Sequence, residues 1–412
     1  MTAPAQSDSQ LGAFLKTRWL CLAASLIICV CAGFGYAWSV LQSPIVSLYG
    51  WPDTQVSLAY TITVVCSTMS PLFFGGLIRR LSTRQGIVLG ALLFGAGLYC
   101  TGRMTSVLQL YLFYGVLAGL GCGFIYPAMM AYVVRLFPDK AGMASGLGTA
   151  AYGSGAILWA PVAVGLTGAY SLPAAFRALG ICFLASILAA SLLLREPPEG
   201  AKQALCPQEE GEKGSASDLR RGQMMRTPAF YKLVAVFTCG LVAGVIVISQ
   251  ASPILQDLLS FTPARAAAFV SVFAACNMAG RFLWGSLSDR VGIRNTVIAV
   301  FGLCVLSMLG LAFCPWEYAV LGSMGLAASC YGGFASVLTP LTAETFGHRY
   351  ITENYGAMYV VFGLASLIGP SLAVRFRAAA GGSYTGAFLT AAVLAVVGAG
   401  LSLTLRSDRK RG

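Results

Sequence analysis

The sequence predicts an all-helical membrane protein of twelve transmembrane helices in two pseudo-symmetric six-helix bundles. Three observations predict it: too little charge for a soluble surface, twelve apolar runs of spanning length, and motifs repeated at an offset constant to within one residue. Only 10% of the 412 residues are charged, 57% are hydrophobic and the mean hydropathy is +0.76. A soluble domain carries about 25% charged residues. Most of this chain's outer surface must therefore face lipid. Its 48 glycines agree, because Gly lets membrane helices approach closely.

Crossing roughly 30 Å of hydrocarbon takes about 20 apolar residues. Such runs cover 19–46, 54–78, 86–102, 106–133, 141–166 and 173–194. After a polar stretch, six more cover 229–256, 263–287, 293–313, 316–343, 351–374 and 385–405. The first run follows Lys16 and Arg18 and is too long for a cleaved signal, so it reads as a retained helix. The chain divides into a tail 1–18, a bundle 19–195, a linker 196–227, a second bundle 228–405 and a tail 406–412. The linker carries the run EEGEKGSASD with no apolar period, which suits a flexible connection.

An even helix number puts both termini on one side, and charge sets which side. Lys and Arg are retained in the cytoplasm. Of 27 basic residues, 21 lie in or beside the termini, the linker and the even-numbered loops. Five lie opposite: Arg103, Arg177, Arg265, Arg375 and Arg377. Both termini are expected in the cytoplasm, with the chain in a cell inner membrane.

The net charge of +12 sits in short clusters between apolar runs, which argues against nucleic acid. Thirteen cysteines form no CxxC pair and have no His beside them. They read as small apolar fillers, with no metal or cofactor implied. A membrane-embedded enzyme would need an acid–base pair or a metal at depth. The one His, His348, falls in a loop, and all fifteen Asp and Glu fall in loops or at helix ends.

The two halves repeat. GGLIRRLSTR starts at Gly75 and GSLSDRVGIR at Gly285, an offset of 210. RLFPD at Arg135 and ETFGH at Glu344 differ by 209, as do Pro161 and Pro370. A duplicated six-helix unit with a substrate site near the midplane is an established transporter plan. The run Gly285, Asp289, Arg290, Gly292, Arg294 resembles the loop signature of the major facilitator superfamily, so the resemblance implies a gating loop there. Its N-terminal copy carries Arg79 in place of the acid and Ser82 in place of a Gly.

One basic residue is left inside the membrane: Arg281, in the eighth run. A charge at depth costs at least a few kcal/mol, so it normally faces a cavity or a partner. With no intramembrane acid to pair with it, a ligand anion is the natural partner, and a guanidinium matches a carboxylate bidentately. The alternative is that Arg281 snorkels to the interface. Asn277, four residues earlier on the same face, could give an amide donor to the same anion. Apart from Arg281, such an Asn more often serves helix packing. Tyr36, Tyr126, Tyr152 and Tyr331 lie mid-helix among Gly, Pro and small residues. A hydroxyl there donates without charge, which suits a small carboxylate.

From about Trp19 to Leu405 the chain resembles the oxalate–formate antiporter and monocarboxylate transporter group of that superfamily. The resemblance rests on GFGYAW at Gly33, FPDKAGMASGL at Phe137, MMRTPAFY at Met224, NMAGRFLWGSLSDR at Asn277 and ENYGAM at Glu353. It implies that Arg281 anchors the substrate carboxylate and that the four tyrosines line the cavity. The oxalate exchanger pattern has a second cation eight residues after the Asn of NYG, where this chain has Phe362. One cation suits one carboxylate. The animal-type pattern has a Lys and an Asp where this chain has Val40 and Asn277. The expected function is proton-coupled symport of a short monocarboxylate such as lactate or pyruvate, by alternating access and as a monomer. The proton would ride on the substrate carboxyl. An organic-anion exchanger and a non-transporting sensor are the alternatives.

Overall fold

A backbone in lipid must satisfy its own hydrogen bonds, and helices do so within one segment. The computed structural model describes residues 3–137, 141–197, 218–347 and 350–404, and its described residues hold no strand. Among the described residues, twelve helices cross the fold. In the N-terminal half, α1 runs over Ala3–Ala32, a 3-10 turn Gly33–Ala37 and Ser39–Tyr49. Then come α2 (Asp53–Arg80), α3 (Thr83–Thr101) and α4, which passes from Val107–Leu110 through a π-helical stretch to Gly119–Leu136. The half closes with α5 (Ala141–Gly153 and Gly155–Ala169) and α6 (Leu172–Leu192). The C-terminal half holds α7 (Pro228–Leu259), α8 (Pro263–Val291), α9 (Ile293–Phe313) and α10 (Glu317–Phe346). It ends with α11 (Ile351–Met358 and Val360–Ala379) and α12 (Thr385–Leu403).

Eleven of these are long and apolar enough to cross a membrane. The twelfth, α3, opens on Thr83, Arg84 and Gln85, which dilutes its apolar run. Local chemistry starts the helices where the sequence changes character. Thr227 and Thr262 each accept a hydrogen bond from a backbone N–H three residues on, with Pro in the first turn. Proline costs nothing there, since its missing N–H would have no helical partner. Ser82 and Gln85 close a reciprocal capping box on α3.

The repeat is visible in the packing. α3 packs on α4 and α6, and α9 packs on α10 and α12 in the same way. Between halves, α2 meets α11 and α5 meets α8, which is one contact and its pseudo-symmetric copy. The end of α6 near the start of α1, and the start of α7 near the end of α12, lie at one face of the bundle, the terminal face. The opposite face is called distal.

Several helices run past their expected ends. α11 continues to Ala379, beyond the expected 374, so Arg375 and Arg377 stand in helix instead of loop. Cations in a last helical turn suit its negative dipole end. α8 continues to Val291, which places Arg281 about 15 Å along the helix from the terminal face. Most of the linker expected at 196–227, together with His348, lies outside the described residues. Its last stretch is docked on the C-terminal half. Leu219 N–H donates to Phe346 C=O (2.9 Å), Asn354 Nδ2 donates to Leu219 C=O (2.9 Å), and Arg220 lies over the Tyr350 ring.

Candidate functional site

Three of the long helices are interrupted inside the bundle: α1 at Gly33–Ala37, α5 at Ser154 and α11 at Tyr359. Broken helices are tolerated at membrane depth where the backbone lines a cavity. Gly33 and Gly155 stand back to back where α1 crosses α5. A Cβ on Gly33 would strike the Tyr152 carbonyl, and one on Gly155 would strike the Gly33 backbone. The close approach brings the Tyr36 and Tyr152 rings to 5.6 Å.

From this pair the aromatic contacts close into a collar. Tyr152 meets Tyr126 at 4.4 Å, Tyr126 meets Tyr359 at 5.7 Å and Tyr359 meets Phe362 at 5.0 Å. Phe362 then meets Tyr331 at 5.8 Å, and Tyr331 returns to Tyr36 at 6.3 Å. Three rings come from each half. The Tyr126–Tyr359 and Tyr36–Tyr331 contacts cross between the halves. All six line one cavity of about 820 Å³, its open mouth included.

Arg281 lines this cavity too, and is 8% exposed. Its Nε donates to Asn277 Oδ1 at 3.4 Å, and its Nη2 donates to Tyr36 Oη at 3.2 Å across the interface between halves. Nη1 has no protein acceptor among the described residues, and no carboxylate there pairs with the guanidinium. Gly153, at the break of α5, leaves the room: a Cβ would come within 3.1 Å of Arg281 Nε. On the other side, Gly332 of α10 lies against the backbone of Asn277 and Arg281. A buried cation with an unused donor face, ringed by hydroxyls, has the chemistry to accept an anion.

The structure thus brings together Arg281, Tyr36, Tyr126, Tyr152 and Tyr331. Asn277 stands apart from the main cavity. Its oxygen serves Arg281, while its Nδ2 is buried with no partner. It lines a second cavity of about 260 Å³, with Tyr36 and apolar residues of α7 and α8. Val40 is buried and lines neither cavity. Of the loop motif, Gly292 ends α8 at φ 90° and Arg294 Nη2 donates to the Leu403 carbonyl at the end of α12 (2.6 Å). Gly285 faces Ser336 of α10 and Arg290 is exposed, while the Asp289 side chain lies outside the described residues.

Sequence reasoning missed Tyr60, Tyr114, Tyr355 and Tyr359, which also line the cavity. Two signals were available. Tyr60, Thr63, Ser67 and Thr68 form a polar stripe at helical spacing on α2, and Tyr355 and Tyr359 stand one turn apart.

The family model described as Major Facilitator Superfamily matches residues 23–370. The chain belongs to this superfamily. Among curated relatives, the "Oxalate:formate antiporter" of Oxalobacter formigenes is 27% identical over 387 residues, covering 93% of this chain and 90% of that protein. "Monocarboxylate transporter 12" of Rattus norvegicus is 24% identical, covering 90% and 82%. Among solved structures, a bacterial homologue of the human lysosomal transporter Spinster superposes with a TM-score of 0.71 at 16% identity, covering 94% of this chain and 96% of that one. That likeness concerns the fold. The relatives make this superfamily member a transporter of the oxalate/formate antiporter and monocarboxylate transporter type.

Proposed function

We propose that the chain is a secondary active transporter that carries a short monocarboxylate, of the lactate or pyruvate type, together with a proton. One observation carries this reading: the single buried cation among the described residues, Arg281, keeps unused donors inside a collar of neutral aromatic rings. A monocarboxylate would neutralise that charge. A dicarboxylate would leave a negative charge uncompensated in low dielectric, and the wall position that could answer it is Phe362. Tyr36 and its neighbours would then give hydroxyls to the carboxylate or the 2-substituent. Asn277 would hold the guanidinium in register. The motif Gly285 to Arg294 would guide rocking at the terminal face, and the basic loops favour the cytoplasmic side of an inner membrane for that face. The chain would work as a monomer, without cofactor or catalysis.

An anion moved alone would work against a negative-inside potential, so a proton riding on the substrate carboxyl makes uptake favourable. A second reading, exchange of organic anions, is favoured by the relative named as an oxalate:formate antiporter. Uptake of labelled L-lactate into proteoliposomes, with and without an inward proton gradient, decides between them. Gradient-dependent uptake competed by pyruvate supports symport. Uptake indifferent to the gradient but driven by preloaded oxalate or formate supports exchange and removes the proton from the cycle.

A further inference from the structure

The two halves finish their last helices differently at the terminal face. In the N-terminal half, Leu193 C=O beyond α6 accepts from Cys21 Sγ of α1 at 3.4 Å. The cation beside that end, Arg135, faces Glu196 at 3.6 Å, and Glu196 also takes the Thr83 N–H. On the distal face Arg265 holds Glu317, and Arg377 holds Asp53 and Asp257. The end of α12 lacks this balance. Lys232 Nζ of α7 donates to Thr404 C=O and Arg294 Nη2 of α9 donates to Leu403 C=O, both at 2.6 Å. Among the described residues neither cation meets a carboxylate. Arg294 also keeps a buried Nε with no partner.

The sequence adds to the excess. Arg406, Arg409, Lys410 and Arg411 follow Thr404 within seven residues, against one acid, Asp408. Six cations and one carboxylate thus belong to the end of one helix. The outward surface of that helix is apolar. Val393, Val396, Val397 and Leu403 are exposed along it, and Gly400 has open space around it. Tyr231, beside Lys232, is also exposed, as tyrosines at a membrane interface are.

We propose that the end of α12, with Lys232 and Arg294, is a binding site for an anionic phospholipid. Both α7 and α9 pack on α12, so the two cations fix one point where the helix leaves the hydrocarbon. The carbonyls they cap carry only the partial charge of a helix C-terminus, and the cations stay uncompensated. A phosphodiester there meets the free donors of a guanidinium and an ammonium. Basic clusters next to a membrane helix attract anionic lipid, and each cation adds to the affinity. The apolar stripe of α12 gives the acyl chains a wall, with room at Gly400. A soluble anion would use the charges and leave the stripe uncovered. A zwitterionic lipid would bring a further cation into the cluster. The bound lipid ties α7, α9 and α12 together on the outside of the C-terminal half, away from the collar, whatever the substrate and its coupling.

The test uses the full chain purified in detergent, with phosphatidylglycerol and phosphatidylcholine of the same acyl chains as probes. Native mass spectrometry counts the lipid retained as each is titrated. Phosphatidylglycerol should be held at least about tenfold more tightly. Lys232→Gln and Arg294→Gln should each weaken it about fivefold. The triple variant Arg409→Ser, Lys410→Ser, Arg411→Ser lies outside the helices and decides the matter where a helix variant fails to fold; it should weaken binding too. Arg84→Gln is the control. Arg84 stands 210 residues before Arg294, exposed at the start of α3, and its loss should leave binding unchanged. Equal retention of the two lipids overturns the proposal. So does a loss in Arg84→Gln as large as in Arg294→Gln, or displacement of phosphatidylglycerol by inorganic phosphate at equal concentration.

Discussion

Tyr36 Oη accepts a hydrogen bond from Arg281 Nη2 at 3.2 Å, so a hydroxyl of one half caps the buried cation of the other. The bond holds the guanidinium toward the collar, and an incoming carboxylate must share or displace it. In the proposed complex the Tyr36 hydroxyl donates to that carboxylate, so removing it takes away a charge-assisted bond worth about 1.5 kcal/mol. Tyr36→Phe should therefore raise KM for the transported anion about tenfold. Initial-rate uptake checks this, and an unchanged KM would leave the Tyr36 hydroxyl without a role in the ground state.

Arg281 is the sharper case. Arg281→Ala removes the counter-charge and should lower uptake at least about a hundredfold, with the folded protein still recovered monodisperse. Arg281→Lys restores charge but not the planar fork. It should recover only a small part of the rate. Full activity in the Lys variant would show that a point charge is enough.

Phe362 offers a test of selectivity. It sits in the collar between Tyr331 and Tyr359, at 5.8 and 5.0 Å. Phe362→Lys brings a second cation to a cavity whose described lining holds only Arg281, so oxalate should gain relative to lactate. Competition assays would read the ratio. No change in preference would mean that the charge count of the cavity does not set substrate valence.

The helix crossing that builds the site should be intolerant of a single methyl group. Gly33 packs against the Tyr152 carbonyl and the Gly155 backbone, with no flexible side chain to yield. Gly33→Ala should cost about 1–3 kcal/mol through overpacking. The readout is an earlier thermal loss of monodisperse protein in detergent. Gly165→Ala, a position with open space around it, is the control and should be neutral.

The architecture was legible because lipid imposes it: charge is scarce and runs of spanning length are long, so helix number, order and repeat follow from simple counting. Arg281 stood out for the same reason, as a cation where cations are expensive. Tyr359 and Tyr60 did not stand out. A tyrosine carries no charge, and whether it faces lipid, a neighbour or a cavity depends on helix rotation that composition does not encode. Arg377 reads as a loop residue in the sequence because basic residues end apolar runs. Its partners, Asp53 and Asp257, are distant in sequence and meet it only when the halves assemble.

The collar has a consequence for how this protein can change over generations. Each repeat supplies an arc of three rings, and neither arc surrounds anything alone. Where the arcs meet, at Tyr126 with Tyr359 and at Tyr36 with Tyr331, a change on one side alters the fit of the other. Such contacts couple. The two halves are bound to a common fate at these two seams, where neither is free to drift by itself.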